Sequence, residues 1–413
     1  MDKKLSVRLF GEEAGILEQD KYGDMSFTYC DNAKTAISHS LPLEKKTFTQ
    51  KECRPYFNGL LPENEYIRKK IAGMFGISAN NDFSILKAIG HDCAGALSLH
   101  NLEEPVKNVD FIQLEGITQT EESLAKYIEQ LPEKPFFMEM DNDIRLSLAG
   151  IQNKASITLI DNEVCLPKNN TPSTHILKPL MSKYKDTVLN EYICMSLAST
   201  MGINASNVEI RSANNIAYLL IERYDREVKD AKVKRIHQED FCQALGILSI
   251  NKYQADGGPG YKQCFELLNI TQIPATDRLT LIKMLMFNYL IGNNDAHGKN
   301  FSLLYKNKKP ILSPAYDLLS TESYPDLTKK MAMKIGSTYK KEWTNADNWK
   351  AFCEEIEYSF PAFKKEFLNM CEKLPHTLDE TIKSLDITVE RDIANLIKEA
   401  ALKNIKQIEE NLS

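Results

Sequence analysis

The chain changes its hydrophobic rhythm once, near residue 238, and that change is the tightest limit on its fold. Before it, apolar residues come in short β-branched runs broken by turn residues. Leu5-Ser-Val-Arg-Leu-Phe, Ala155-Ser-Ile-Thr-Leu-Ile, His175-Ile-Leu-Lys and Ile216-Ala-Tyr-Leu-Leu-Ile-Glu each predict a strand. After it, helical spacing prevails, over 240–248, 277–290 and several stretches from 349 to the end. A β-rich part followed by a helical part predicts a two-lobed α+β chain with a ligand cleft between the lobes.

Finer punctuation divides the β-rich part. Gly11-Glu-Glu-Ala-Gly predicts a hairpin turn, 66–75 a helix stopped by Gly76, and Asp82 the N-cap of a short helix ending at Gly90. Ala94-Gly-Ala-Leu-Ser-Leu returns as a strand, and the polar run 101–108 reads as a linker. A helix over 188–201, closed by Gly202, follows later. The expected domains are 1–105, a β-rich 106–237 and a helical 238–413.

Composition narrows the function classes. With 413 residues, 43% of them hydrophobic and 26% charged, the chain has ample material for packed cores and is not a disordered or fibrous protein. Lys+Arg 51 against Asp+Glu 57, a net charge of −6, argues against a nucleic-acid coat or a polybasic membrane-surface protein. Lys229, Lys232, Lys234 and Arg235 could touch DNA phosphates in an assembly, but a solvated loop is the plainer reading. The N-terminal residues have no apolar stretch of signal-peptide length, and 279–291 is short and interrupted by Lys283 and Asn288, so neither export nor a membrane is expected. Nine cysteines, none in a Cys-x-x-Cys pair, point to reduced thiols in the cytoplasm. None of the seven histidines shares a spacing of three or four residues with another on one helix face, so metal binding by the histidines is not expected.

Chemistry concentrates where the apolar run 279–291 gives way to Gly292-Asn-Asn-Asp-Ala-His-Gly-Lys-Asn. Asp295 and Asn300 have the Asp-x-x-x-x-Asn spacing of a protein-kinase catalytic loop, in which the Asp takes or orients the acceptor proton and the Asn holds Mg²⁺. Further on, Ser313-Pro-Ala-Tyr-Asp places Asp317 as a second hard oxygen donor. Upstream, Lys178 ends a strand where it could reach phosphates, and Ser147-Leu-Ala-Gly-Ile-Gln-Asn-Lys is a small-residue turn whose amides could cradle them. Glu222-Arg-Tyr-Asp-Arg follows an apolar strand, where backbone groups could meet an adenine edge. Each has a plainer counterpart: loop-capping Asp and Asn, a solvated strand-end lysine, a simple β-turn, and a strand end with surface ion pairs.

Taken in order, the motifs bear a resemblance. Those three upstream segments, together with Gln238-Glu-Asp-Phe-Cys-Gln, Lys252-Tyr-Gln-Ala-Asp-Gly-Gly-Pro-Gly and Asn294-Asp-Ala-His-Gly-Lys-Asn, resemble the HipA-type serine/threonine kinases, toxins of bacterial type II toxin–antitoxin modules. Tyr56-Phe-Asn-Gly-Leu-Leu-Pro-Glu-Asn and Ile89-Gly-His-Asp-Cys-Ala-Gly-Ala are similar to that family's N-terminal subdomain. The resemblance implies a two-lobed protein-kinase-like fold, with an extra N-terminal subdomain, a β-rich lobe and an all-α C-terminal lobe. It implies Asp295 as catalytic residue, and Asn300 and Asp317 as Mg²⁺ ligands. An ATP site would be formed by Ala149, Gly150, Ile151, Gln152, Asn153, Lys154, Lys178, Glu222, Arg223, Tyr224, His297, Gly298, Lys299, Asn300, Tyr316 and Asp317. Ser147 matches the serine that such kinases phosphorylate on themselves, ejecting the phosphate loop. The expected partner is a small helix-turn-helix antitoxin of the HipB type, reaching operator DNA through that antitoxin. Two departures stand out: no acidic residue precedes Lys154, and the hinge aromatic is Tyr224 where Phe is usual. The other readings are a weakly active corepressor working with its antitoxin, and a small-molecule or lipid kinase.

Overall fold

The computed structural model describes residues 3–105, 111–131, 154–168, 171–181, 183–306, 309–385 and 392–412. They form two compact units interleaved in sequence. The first takes in 1–179, 211–250 and 302–308; the second takes in 180–210, 251–301 and 309–413.

The first unit begins with β1 (Lys3–Leu9), β2 (Glu12–Gln19), β3 (Met25–Tyr29) and β4 (Thr47–Phe48). Helices α1 (Gln50–Gly59), α2 (Glu65–Phe75) and α3 (Asp82–Ile89) follow, then β5 (Leu97–His100). The strands make one sheet in the order β4-β3-β2-β1-β5, and Phe27, Tyr56 and Phe57 are fully or almost fully buried in its core. Each such aromatic is worth roughly 1.5–3 kcal/mol of transfer free energy. Three sequence expectations shift here. The hairpin turn is confined to Phe10 and Gly11, both at positive φ, and Glu12 onward is already strand. The N-cap of α3 is Asn81, not Asp82, whose buried carboxylate instead accepts from Arg54, Asn58 and Arg68. The described part of the supposed linker, 101–105, is tied down, because the Arg8 guanidinium donates to the carbonyls of Glu104 and Pro105.

Next come β6 (Ile112–Gln113), β7 (Gly116–Thr118), α4 (Glu121–Gln130), β8 (Ala155–Ile160), β9 (Glu163–Pro167) and β10 (His175–Pro179). Then α5 (Thr187–Thr200), β11 (Val208–Ala213), β12 (Ile216–Glu222), β13 (Arg226–Lys229), β14 (Lys232–Arg235) and β15 (His237–Asp240). A six-stranded sheet runs β11-β12-β10-β8-β9-β7, and β13 pairs with β14 as a hairpin where a solvated loop was expected.

Residues after 240 are less uniformly helical than their periodicity predicts. The expected 240–248 helix shrinks to α6 (Phe241–Ala244), and α7 (Tyr261–Leu267) precedes α8 (Pro274–Ile291). Between α8 and the final α9 (Ala346–Glu355), α10 (Phe360–Ser384) and α11 (Asp392–Leu412) lie β16 (Ser302–Lys306), β17 (Lys309–Leu312), β18 (Lys330–Ile335) and β19 (Thr338–Lys340). β16 pairs with β15 inside the first unit, and β18 pairs with β19 in the second, so the helical unit carries a small ladder and is not all-α. From Leu281 onward helix α8 is apolar on nearly every side and buried at every position but Lys283. Near its C-terminal end, Tyr289 packs edge-on against Trp349 at 5.2 Å, within a cluster that includes Phe352, Phe363 and Phe367. No helix among the described residues is long and apolar enough to cross a membrane.

Candidate active site

The buried C-terminal end of α8 presents the Asp295 loop. Gly292, at φ +77°, turns the chain out of the helix, and a Cβ there would meet the Glu322 side chain at 2.9 Å. That side chain is committed. Glu322 accepts from Lys341 Nζ at 3.0 Å, Asn294 Nδ2 at 3.3 Å and Asn404 Nδ2 at 3.2 Å. Thr321 Oγ1 donates to Gly292 O and accepts from Asn294 N. The base of the loop is thereby fixed to the segment just after Asp317.

On this base sits Asp295, with 42% of its side chain exposed. Tyr253 OH donates to its Oδ1 at 2.6 Å, and Asn293 Oδ1 accepts from its backbone N–H at 3.1 Å. Asn300 Nδ2 donates to Asp295 O at 3.1 Å, so the expected catalytic Asp and metal-binding Asn are linked through one carbonyl. Tyr316 OH donates to Lys299 O at 2.7 Å, which ties a second expected site residue to the same turn.

His297 is buried, edge-on to Tyr253 at 5.2 Å, with Nε2 3.9 Å from Asp295 Oδ2. Burial, reinforced by Lys252 and Lys299 and only partly offset by Asp317, pushes its pKa down to about 3. The ring is therefore neutral near pH 7, and its proximity to Asp295 is not an ion pair. Asp317 is half-buried, and its backbone is in the left-handed region at φ +58°, a conformation that costs a non-glycine residue energy and recurs at functional sites.

The remaining expected site residues lie in the first unit. Lys178 is buried on β10, directly across from Leu219 of β12, and is not the solvated strand end of the plainer reading. Lys154 is half-buried at the start of β8. Glu222 is exposed at the end of β12, and Tyr224 OH donates to Gln238 Oε1 at 2.5 Å. Ser147 and residues 149–153 lie outside the described residues.

The surface ion pairs read into 222–226 prove to be buried. Asp92 contacts Arg226 at 2.9 Å, Arg235 at 3.1 Å and Arg223 at 3.4 Å, while Asp225 contacts Arg223 at 2.8 Å and Arg226 at 2.9 Å. Gly95 N and Ser173 Oγ close the network at 2.6 and 2.7 Å. Burial alone would raise the Asp92 carboxyl, but the three guanidiniums hold it well below the usual range. The Arg223 side chain is thus part of the buried framework that follows β12. Sequence reasoning gave no role to Tyr253, because no spacing rule links it to an Asp 42 residues away. The one signal was its place in the Lys252–Gly260 motif.

Known proteins match along nearly the whole chain. The HipA N-terminal domain family covers residues 5–100, and the HipA-like C-terminal domain family covers 146–382. A Sinorhizobium fredii protein with a provisional kinase name, Y4mE, is 41% identical over 91% of this chain and 92% of its own. The serine/threonine-protein kinase toxin HipA of Shewanella oneidensis is 30% identical over 84% of this chain and 81% of its own. The structure of a Shewanella oneidensis HipA, solved with HipB and operator DNA, superposes with a TM-score of 0.84 at 26% identity, covering 99% of this chain and 97% of that one. By sequence along most of its length, and by fold, the chain belongs to the HipA-like kinase family.

Proposed function

We propose that the chain is an ATP- and Mg²⁺-dependent protein serine/threonine kinase, acting as the growth-arrest toxin of a toxin–antitoxin pair and inactivating itself by phosphorylating Ser147. The observation that carries this reading is the Asp295 loop: a half-exposed carboxylate that accepts from Tyr253, on a backbone whose N–H is held by Asn293 and whose carbonyl is held by Asn300. In this reading Asp295 takes the proton of the acceptor hydroxyl while its oxygen bonds to the γ-phosphorus and the bond to the β-phosphate oxygen breaks, leaving ADP.

The residues fit a hard cation beside phosphates. Asn300 is anchored through its amide nitrogen, so its oxygen is the end it can offer, and the Asp317 carboxylate is near enough to His297 to oppose that ring's fall in pKa. His297 Nδ1 and Asn294 Oδ1 are buried in the same loop without a hydrogen-bond partner among the described residues, as befits a pocket completed by a polar ligand. Bound Mg²⁺ would supply charge neutralisation for the transferring phosphoryl group. Lys178 and the amides of 149–154 would hold the phosphates, 222–224 the adenine, and 297–300 with Tyr316 the rest of the nucleotide. The fold-wide likeness to a HipA solved with HipB and operator DNA supports a helix-turn-helix antitoxin as partner.

The test is intact mass, followed by peptide mapping, of phosphatase-treated full-length protein incubated with ATP plus Mg²⁺ or plus EDTA. The expected result is one phosphate on Ser147, in the Mg²⁺ sample only. A phosphate on another residue would overturn the Ser147 assignment. No incorporation into the chain or into added protein acceptors would overturn the kinase reading.

A further inference from the structure

Away from the Asp295 loop, in the first unit, two histidines and a glutamate converge although no helical spacing unites them. His91 lies in the turn after α3, His100 ends β5, and Glu104 closes the turn that follows. Folding brings one ligand atom from each to within 4.8 Å of the others. We propose that His91, His100 and Glu104 form a binding site for a divalent transition-metal ion of the Zn²⁺ type.

His100 Nδ1 is 2.9 Å from Glu104 Oε2, and His91 Nε2 is 3.6 Å from the same oxygen. Zn²⁺ bonded tetrahedrally at about 2.0–2.2 Å holds its ligand atoms about 3.4 Å apart, so small side-chain rotations open the cluster to an ion. The imidazoles stand edge-to-face with centroids 4.8 Å apart, crossing at 72°, so the rings do not stack.

The second line of support is how the ligands are held. His100 Nε2 meets Ser98 Oγ at 3.0 Å, which aims Nδ1 at the cluster. Glu104 Oε1 accepts from the backbone and side-chain nitrogens of Asn101 at 3.2 and 3.1 Å, which leaves Oε2 toward the histidines. Each of these two ligands is therefore oriented through the atom the ion would not use, the arrangement that supporting partners of metal ligands provide. Arg235 Nη2 donates to His91 O at 3.1 Å, and Arg8 grips the Glu104 carbonyl, so the backbone beneath the site is pinned as well. Those guanidiniums add positive charge nearby, but Asp92 pairs with Arg235 and Glu104 itself supplies a negative ligand.

The third observation is access. All three residues line a cavity of about 630 Å³ within this unit, walled also by Phe10, Phe111 and Thr171. Three protein ligands facing such a space leave room for water or an outside ligand in the fourth position. Imidazole and carboxylate donors without thiolate favour Zn²⁺ and its first-row neighbours over Mg²⁺, which separates this site from Asn300 and Asp317.

The test uses full-length protein without a polyhistidine tag, stripped with a chelator and titrated with Zn²⁺ against a competing chromophoric chelator, in buffer containing excess Mg²⁺. One tightly held Zn²⁺ per chain is expected, with affinity falling at least about 10-fold in Glu104→Gln and in His100→Gln. Glu104 is about one-third exposed, so Glu104→Gln is the variant least exposed to folding failure, and circular dichroism checks that both fold. With Co²⁺ as probe, the spectrum should show d–d bands without a thiolate charge-transfer band, which distinguishes this site from binding at any of the nine free cysteines. Absence of Zn²⁺ binding, equal affinity in folded Glu104→Gln and His100→Gln, or a thiolate band would each overturn the proposal.

Discussion

Asp92, Arg223, Asp225 and Arg226 in the first unit are 3, 4, 4 and 6% exposed and pair with one another. Asp295 in the second unit has 42% of its side chain open and is held by a phenol and an amide. The two regions use charge for different ends. A buried carboxylate surrounded by guanidiniums cannot exchange partners without leaving a charge stranded, so it fixes the backbone of the segment after β12. A carboxylate that accepts from one neutral phenol and stays largely open can meet whatever approaches from solvent, as a proton acceptor would have to.

The largest effect that would break this contrast is on stability. Asp225→Ala leaves Asp92 alone against Arg223, Arg226 and Arg235 and should cost about 3–5 kcal/mol in chemical denaturation. A loss under about 1 kcal/mol would mean that the network is ornamental. Next are Asn300→Ala and Asp317→Ala, each expected to lower Mg²⁺-dependent phosphate transfer by about 10²-fold while leaving the denaturation midpoint nearly unchanged. Calorimetry should show that they weaken Mg²⁺–ATP binding more than metal-free nucleotide binding; equal losses would count against the ligand assignment. Tyr253→Phe sharpens the comparison further. Removing one neutral hydrogen bond should cost about 1 kcal/mol, a several-fold fall in turnover with little change in nucleotide affinity.

The smallest effect is a pH dependence inside the first unit. Burial raises Glu239 to about 7 although Ser38, Tyr305 and the His39 amide donate to it. Its folded form therefore holds a proton that the unfolded chain releases near 4.5, so this group's stabilisation is complete below 4.5 and lost as pH rises to about 7. His237, lowered by burial from 6.5 to about 4, has the opposite sign: its contribution is present above 6.5 and lost as pH falls to about 4. The two nearly cancel between 4.5 and 6.5. Glu239→Gln should unmask the histidine, giving stability that falls on acidification through that window, measured as denaturation midpoints across pH.

The ease of reading the sequence followed the same division. Gly76 and Gly202 stop helices where expected, because a left-handed cap is a local demand. The Asp295–Asn300 spacing was legible because both residues belong to one turn. Networks assembled from distant segments were not. Asp92 lies 131 residues from Arg223, and the surface ion pairs expected around 222–226 are in fact a buried lattice. The short apolar strand expected ahead of Asp317 is β17, whereas β16, β18 and β19 escaped notice because short runs among long helices carry too few residues to set a period. His91 and His100 failed a helical spacing test for the simple reason that a turn and a strand carry them.

The central claim is that Asp295 serves chemistry and not the fold, and one paired measurement addresses it. Wild-type and Asp295→Asn proteins, each freed of phosphate, are compared for denaturation midpoint and for phosphate incorporated from Mg²⁺–ATP. The account predicts superimposable unfolding curves with incorporation reduced by about 10²-fold or more in the variant. Wild-type incorporation by a fully folded Asp295→Asn protein would contradict it.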